Sequence, residues 1–241
     1  MRDLPDYTKL ITVNYEGGFV GLEELAARLG SIAPFNLKGN IVLMEDFESE
    51  ETEWMLETSG VDSVAARTSR HKFSGDWAIK LTAGGGATDY AQMRRQIYCP
   101  GLSKLAIFAR IAWVKGSYHW ELFATYDILG VSTYARVGYD LETGDLYIKT
   151  TGGNYQAIAS SLFITPAEYA FYPILLTVDL VNGKYDKLYF GDTEYDLSTY
   201  ELSTVDDLAN TYLEVGVINY GGGSYIWTIY VDDIIIAKNV P

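Results

Sequence analysis

Three carboxylates alternate in the run Asp192-Thr193-Glu194-Tyr195-Asp196. Alternate side chains of an extended segment share one face, so Asp192, Glu194 and Asp196 form an acidic strip. Two such groups about 5 Å apart across a sugar are what retaining glycoside hydrolysis needs. The run follows Gly191 in a short meander, where charged positions read as a solvated strand face. A second acidic group, Asp46, Glu48, Glu50, Glu51 and Glu53, runs into a loop with no matching acid motif. The two histidines, His71 and His119, support no Ser-His-Asp or Cys-His arrangement. His71 lies between Arg70 and Lys72 ahead of a turn and is expected to be exposed. His119 faces opposite to Tyr118 and Trp120 on a strand. Gly84-Gly85-Gly86 lacks the Gly-Lys-Ser/Thr and helix of a phosphate loop. Arg94-Arg95 is expected to pair with acids of this chain rather than with an anion.

Aromatic side chains offer a different chemistry. Tyr118, Trp120 and Tyr126 share one strand face, and Tyr134 and Tyr139 follow. Such a row is a platform for sugar stacking, and those three are the glycan-binding candidates. The same types also fill sandwich cores. Continuity with Leu122 and Ala124 favours the core.

The elements that must position these groups are strands. Ile41, Leu43 and Phe47 lie on one side of a first strand, and Trp77, Ile79 and Leu81 alternate with Ala78, Lys80 and Thr82. Leu105, Ile107, Ala109, Ile111 and Trp113 form a long apolar face. This period of two marks strands with one face in a core. Turns separate them at 141–145, at 151–154, at Asn182-Gly183 and at 221–223, and Asn-Gly is a strong hairpin signal. Many short strands with Gly-rich turns predict a sandwich or barrel.

Before residue 41 the pattern differs. Thr8–Tyr15 reads as a strand carrying Leu10 and Val13, and Leu22, Leu25, Ala26 and Leu29 recur at helical spacing ahead of Gly30. A helix of about two turns does not hold alone in water. Residues 1–40 therefore read as an arm that anchors or oligomerises, through Leu10, Val13, Leu22, Leu25 and Leu29, ahead of a sandwich over 41–241.

The 241 residues suffice for one substantial core, and 20 Tyr with 23 Gly suit strands and tight turns. A formal net charge of −14 speaks against nucleic acid or anionic lipid as a partner. No stretch approaches the ~18 apolar residues of a membrane helix. Cys99 is the only cysteine, so no intrachain disulfide forms, and it reads as a small buried hydrophobe. The opening residues show no signal peptide, so synthesis in a cytosol is expected.

The run Met44-Glu45-Asp46-Phe47-Glu48-Ser49 with Trp54, the segment Ser74-Gly75-Asp76-Trp77-Ala78-Ile79-Lys80-Leu81 and the end Tyr230-Val231-Asp232-Asp233-Ile234-Ile235-Ile236 resemble successive strands of carbohydrate-binding modules and other concanavalin A-like jelly rolls. The resemblance covers residues 41–240 and implies an all-β jelly-roll sandwich. In such modules a structural calcium often bridges the first and last strands; the matching carboxylates are Glu48 and Asp232. The alternative is that Asp232 and Asp233 cap the outer face of the last strand, and no metal or other cofactor is expected. The jelly-roll glucanases use Glu-x-Asp-x-x-Glu on one strand, a pattern the run at 192–196 does not match.

The lead Arg2-Asp3-Leu4-Pro5-Asp6-Tyr7-Thr8, with the meander Leu176–Asp179, Gly183–Tyr185 and Glu194–Ser198, resembles structural proteins of tailed bacterial viruses. It implies a component of a virion surface, a capsid decoration or tail protein made in the host cytoplasm. Its partners would be other copies of itself, a major capsid or tail protein, and host surface glycans. Three functions follow: a non-enzymatic virion structural protein, a carbohydrate-binding module, and a glycoside hydrolase. The first is the expectation, because the hydrolase lacks its acid motif and a secreted module would carry a signal peptide.

Overall fold

The structure, a computed structural model, describes residues 39–49, 53–98, 101, 103–114, 119–128, 130–162, 164, 170–206, 212–222 and 225–241. The expected strand and helix of the arm, with Leu10, Val13, Leu22, Leu25 and Leu29, lie outside the described residues, as do Cys99 and Tyr118. Among the described residues every regular element is a strand, apart from a single 3-10 turn at Thr151–Gly153.

The described residues form an all-β sandwich of two antiparallel sheets. The strands are β1 (Asn40–Glu45), β2 (Met55–Ser59), β3 (Val64–Thr68), β4 (Ala78–Ala83), β5 (Tyr90–Tyr98), β6 (Lys104–Trp113), β7 (His119–Ile128) and β8 (Val131–Asp140). They continue as β9 (Asp145–Lys149), β10 (Tyr155–Ala159), β11 (Tyr172–Asp179), β12 (Lys184–Phe190), β13 (Thr193–Asp196), β14 (Ser203–Asp206), β15 (Tyr212–Tyr220) and β16 (Trp227–Lys238). The first sheet runs β13-β12-β11-β6-β16-β4-β3, with β1 also on β16. The second runs β10-β9-β8-β7-β15-β5-β2, with β14 on β8.

The first strand and the last pair, from Asn40↔Lys238 to Glu45↔Ile234. The early half of β16 pairs instead with β4, ending at Val231↔Ile79. Between the two ladders β16 bulges: its register to β6 shifts between Asp232 and Ile235, and Asp233 has a φ of 49°. A bulge re-aims side chains out of the ladder, here two carboxylates.

Inward positions of both sheets build one core. Trp113 of β6 stacks on Tyr172 at 4.6 Å between ring centroids and meets Trp120 of β7 at 6.0 Å. Trp120 and Tyr126 are buried here, 0% and 2% exposed. They are core residues: no sugar reaches either ring, and the platform expectation is corrected for both. Tyr139 is a core residue too, whereas Tyr134, at an even position of β8, points outward. The alternation of β7 predicts one wet face, yet Glu121 and Phe123, which alternate with Trp120 and Leu122, are also buried. Something covers the outside of the second sheet at this point.

Candidate functional site

The cover is made of side chains from five strands. The ladders set Glu121 of β7 opposite Gly138 of β8, and Gly138 opposite Tyr147 of β9. A Cβ on Gly138 would lie 2.4 Å from the end of the Tyr147 ring. The missing side chain lets Tyr147 lie down over the sheet toward Glu121. Gly216 of β15 does the same for Phe123. Glycine inside a strand often marks such a close approach.

Beneath this cover the Glu121 carboxylate is fully buried. Arg136 Nη1 donates to its Oε2 at 2.8 Å, and the Tyr220 hydroxyl donates to the same oxygen at 3.4 Å. Oε1 is buried with no donor within hydrogen-bond geometry. Burial lowers the pKa of Arg136, but the charge and hydrogen bond of Glu121 outweigh it, so the guanidinium is held more firmly protonated. Burial raises Tyr147 and Tyr220 far above the ordinary tyrosine value. Burial and the Glu121 charge raise Tyr155 to about 12. All three hydroxyls keep their protons at neutral pH and can donate.

His119 stacks on Tyr220 with centroids 4.4 Å apart. Burial lowers its pKa against the pull of Glu121 and Asp140, so the imidazole is neutral near pH 7. Tyr147 and Tyr155 meet edge to face at 5.1 Å, and Tyr155 keeps 56% of its surface exposed. Next to these rings opens a cavity of about 340 Å3, lined by His119, Asp140, Thr143, Asp145, Tyr147, Tyr155 and Ala157. It offers hydroxyl donors, two carboxylates and an aromatic wall, which is the chemistry that holds a sugar ring.

Tyr185 of β12 ties the two sheets together beneath this site. Its ring is in the core, and its hydroxyl accepts from Arg136 N at 2.9 Å and donates to Lys149 O at 2.6 Å. It therefore fixes the backbone of two strands that carry the outer face.

The groups picked out in the sequence fall elsewhere. Asp192, Glu194 and Asp196 are exposed, with Glu194 paired to Lys187 at 2.7 Å. Arg94 bonds Glu57 and Glu214, and Arg95 pairs with Glu45 and Glu53. His71, expected to be exposed, is buried and packs on Tyr230 at 4.4 Å. The sequence placed it in a polar turn, but that turn folds onto β16.

Glu48 and Asp232 do meet around one feature, the 73–77 turn. Glu48 Oε1 accepts from Asp76 N and Trp77 N at 2.7 and 2.9 Å. Asp232 Oδ2 accepts from Phe73 N and Ser74 N at 2.7 and 3.1 Å, and its Oδ1 from Asp233 N at 2.8 Å. Asp233 pairs with Arg110 at 3.2 Å. These donors do not fit a calcium site: the carboxylate oxygens are turned to N–H groups and the positive charge is a guanidinium. Both aspartates are fully buried, so the expectation that they cap an outer face is also corrected. Burial, then the charge of Asp233, raises Asp232 to about 7; burial raises Asp233 to about 6.

Solved structures share this architecture. An endo-β-1,4-glucuronan lyase from the fungus Trichoderma reesei superposes with a TM-score of 0.57 at 11% identity, over 83% of this chain and 96% of its own. A carbohydrate esterase from the Shiga toxin-encoding bacteriophage phi24B gives 0.54 at 14%, over 83% and 99%. The carbohydrate recognition domain of Emp46p gives 0.51 at 11%, over 78% and 90%. The fold is a jelly-roll β-sandwich. No protein-family model matches the sequence, and neither does any curated protein. The expectation of a non-enzyme is overturned by these neighbours. Two of the three are named as glycan-acting enzymes, so the fold gives no ground for excluding an enzyme, and the missing glucanase motif does not decide the matter.

Proposed function

We propose that this jelly roll binds a glycan on the outer face of its second sheet, in the cavity walled by His119, Tyr147 and Tyr155. One observation carries the reading. A fully buried carboxylate, Glu121, sits on the outward side of a sheet, held by Arg136 and covered by tyrosines. Burying an ion pair is costly and adds little stability. Its use is to orient Arg136 and the hydroxyls around it.

The experiment is calorimetric titration of the protein with a panel of oligosaccharides, with product analysis of each mixture. A saturable interaction is expected with at least one member. Tyr147→Ala and Tyr155→Ala should each weaken it about tenfold, roughly 1.4 kcal/mol, with the fold retained. Unchanged affinity in both variants would overturn the reading, and new reducing ends or free acetate would add turnover to it.

A particle-surface role is the second reading. It is favoured by the resemblance of residues 2–8 to openings of bacterial-virus structural proteins. On that reading the protein is a capsid decoration or tail component, with residues 1–40 contacting other copies or a major capsid or tail protein. Removal of residues 1–38 should then abolish incorporation into particles while leaving glycan binding intact; incorporation without them would end it.

A further inference from the structure

The cavity has a sign. Among its lining residues, both formally charged groups are carboxylates, Asp140 and Asp145. They stand directly opposite each other where β8 turns into β9, with their side chains on the same face of the sheet. Asp140 uses its Oδ1 to accept from Glu142 N and Thr143 N at 2.8 and 3.0 Å. Asp145 uses its Oδ1 for a long bond from Ser161 N, 3.4 Å. Among the described residues, no hydrogen bond or ion pair engages the Oδ2 of either.

Among the described residues, no cation of the protein answers them. The nearby guanidinium, Arg136, is spent on Glu121 at 2.8 Å. Lys149 stands opposite Tyr155 in the ladder, its ammonium 6.0 Å from that ring, and it does not line the cavity. His119 is kept neutral by burial. A second carboxylate level lies just beneath: Glu121 is fully buried, and its charge reaches the Tyr147 and Tyr155 hydroxyls. The aromatic walls suit a cation as well, since ring faces attract positive charge. The field of the whole chain, −14, draws cations in and turns polyanions away.

We propose that the cavity takes an amino sugar with a free ammonium group, its ring against Tyr147 and Tyr155 and its nitrogen between Asp140 and Asp145. A neutral sugar would bind less tightly and a uronic acid residue least. This rests on the glycan-binding reading above and adds the class of sugar to it.

The test is titration of the full chain at low salt with three probes of equal length: a glucosamine oligomer, its N-acetylated counterpart and a glucuronic acid oligomer. The glucosamine oligomer should bind at least about tenfold more tightly than the acetylated one. The double variant Asp140→Asn with Asp145→Asn keeps the Oδ1 acceptors of the turn and should bring that ratio close to one, with binding of the acetylated oligomer preserved. A control with Asp192→Asn and Glu194→Gln, remote and exposed, should leave the ratio intact. Equal binding of both glucosamine forms, tighter binding of the glucuronic acid oligomer, or a ratio that falls as far in the control overturns the choice of sugar while leaving the site standing. Binding to none of the three, or binding that survives Tyr147→Ala and Tyr155→Ala together, overturns the site itself and this proposal with it.

Discussion

Tyr147 lies over Gly138, its ladder partner, so closely that a Cβ on the glycine would fall 2.4 Å from the ring. The contact is with the far end of a side chain, which can swing away. Gly138→Ala is therefore expected to displace Tyr147 from the cavity wall at a modest cost in stability, about 1 kcal/mol, as for overpacking at a site that can yield. Glycan affinity should fall about tenfold, and the melting temperature should move by only a few degrees. Calorimetric titration beside a thermal melt separates the two effects.

The Glu121–Arg136 pair makes the opposite trade. Arg136→Met leaves a buried carboxylate without its cation and should cost 3–5 kcal/mol in urea unfolding, the order expected for breaking a buried pair. The double variant Glu121→Leu with Arg136→Met removes both charges and should regain most of that stability while binding no glycan. If the double variant is as unstable as Arg136→Met alone, the pair is structural rather than kept for the site.

Tyr185 links the core to the outer face. Tyr185→Phe removes a buried hydroxyl that serves Arg136 N and Lys149 O. Two backbone groups then lose a partner, so a loss of about 1–3 kcal/mol is expected. Hydrogen exchange should rise selectively at Arg136. Exchange that rises evenly across the sheet would deny the hydroxyl its local role.

The aspartates of the β16 bulge predict a pH dependence. Asp232 rises from the ordinary 3.8 to about 7 on folding, and Asp233 to about 6. A carboxylate with a raised folded pKa binds its proton more tightly in the native state. It therefore favours folding at low pH and loses that contribution as pH rises from about 4 to about 7. For Asp232 the shift corresponds to roughly 4 kcal/mol. Asp232→Asn should flatten the fall in stability between pH 4 and 7, followed by urea unfolding at each pH. A wild-type and variant difference that stays constant across that window would contradict the assignment.

The fold was largely legible in the sequence because its signals are local. Alternation placed Leu105 to Trp113 on an inward face, and Asn182-Gly183 turned β11 into β12. The site was not, because it is assembled from outward positions of strands far apart in the chain: His119, Arg136, Tyr147, Tyr155 and Tyr220. Aromatic residues drew attention to Trp120 and Tyr126, which face the core, and away from His119 and Glu121 on the other side of the same strand. A usable signal was present in Gly138 and Gly216, glycines inside otherwise regular strands. Paired with the polar side chains alternating with Trp120 and Leu122, they mark a sheet face that other side chains closely cover. The clamp on the 73–77 turn was half legible: Glu48 and Asp232 were matched to each other, but their partners are N–H groups, which sequence alone does not reveal.

The most direct test of the central claim is a map of amide chemical shifts as the tightest-binding oligosaccharide is titrated into the protein. The account predicts saturable shifts concentrated at His119, Gly138, Asp145, Tyr147 and Tyr155, with β11, β12 and β16 of the first sheet unmoved. Shifts clustered on the first sheet, or none that saturate with any member of the panel, would contradict it.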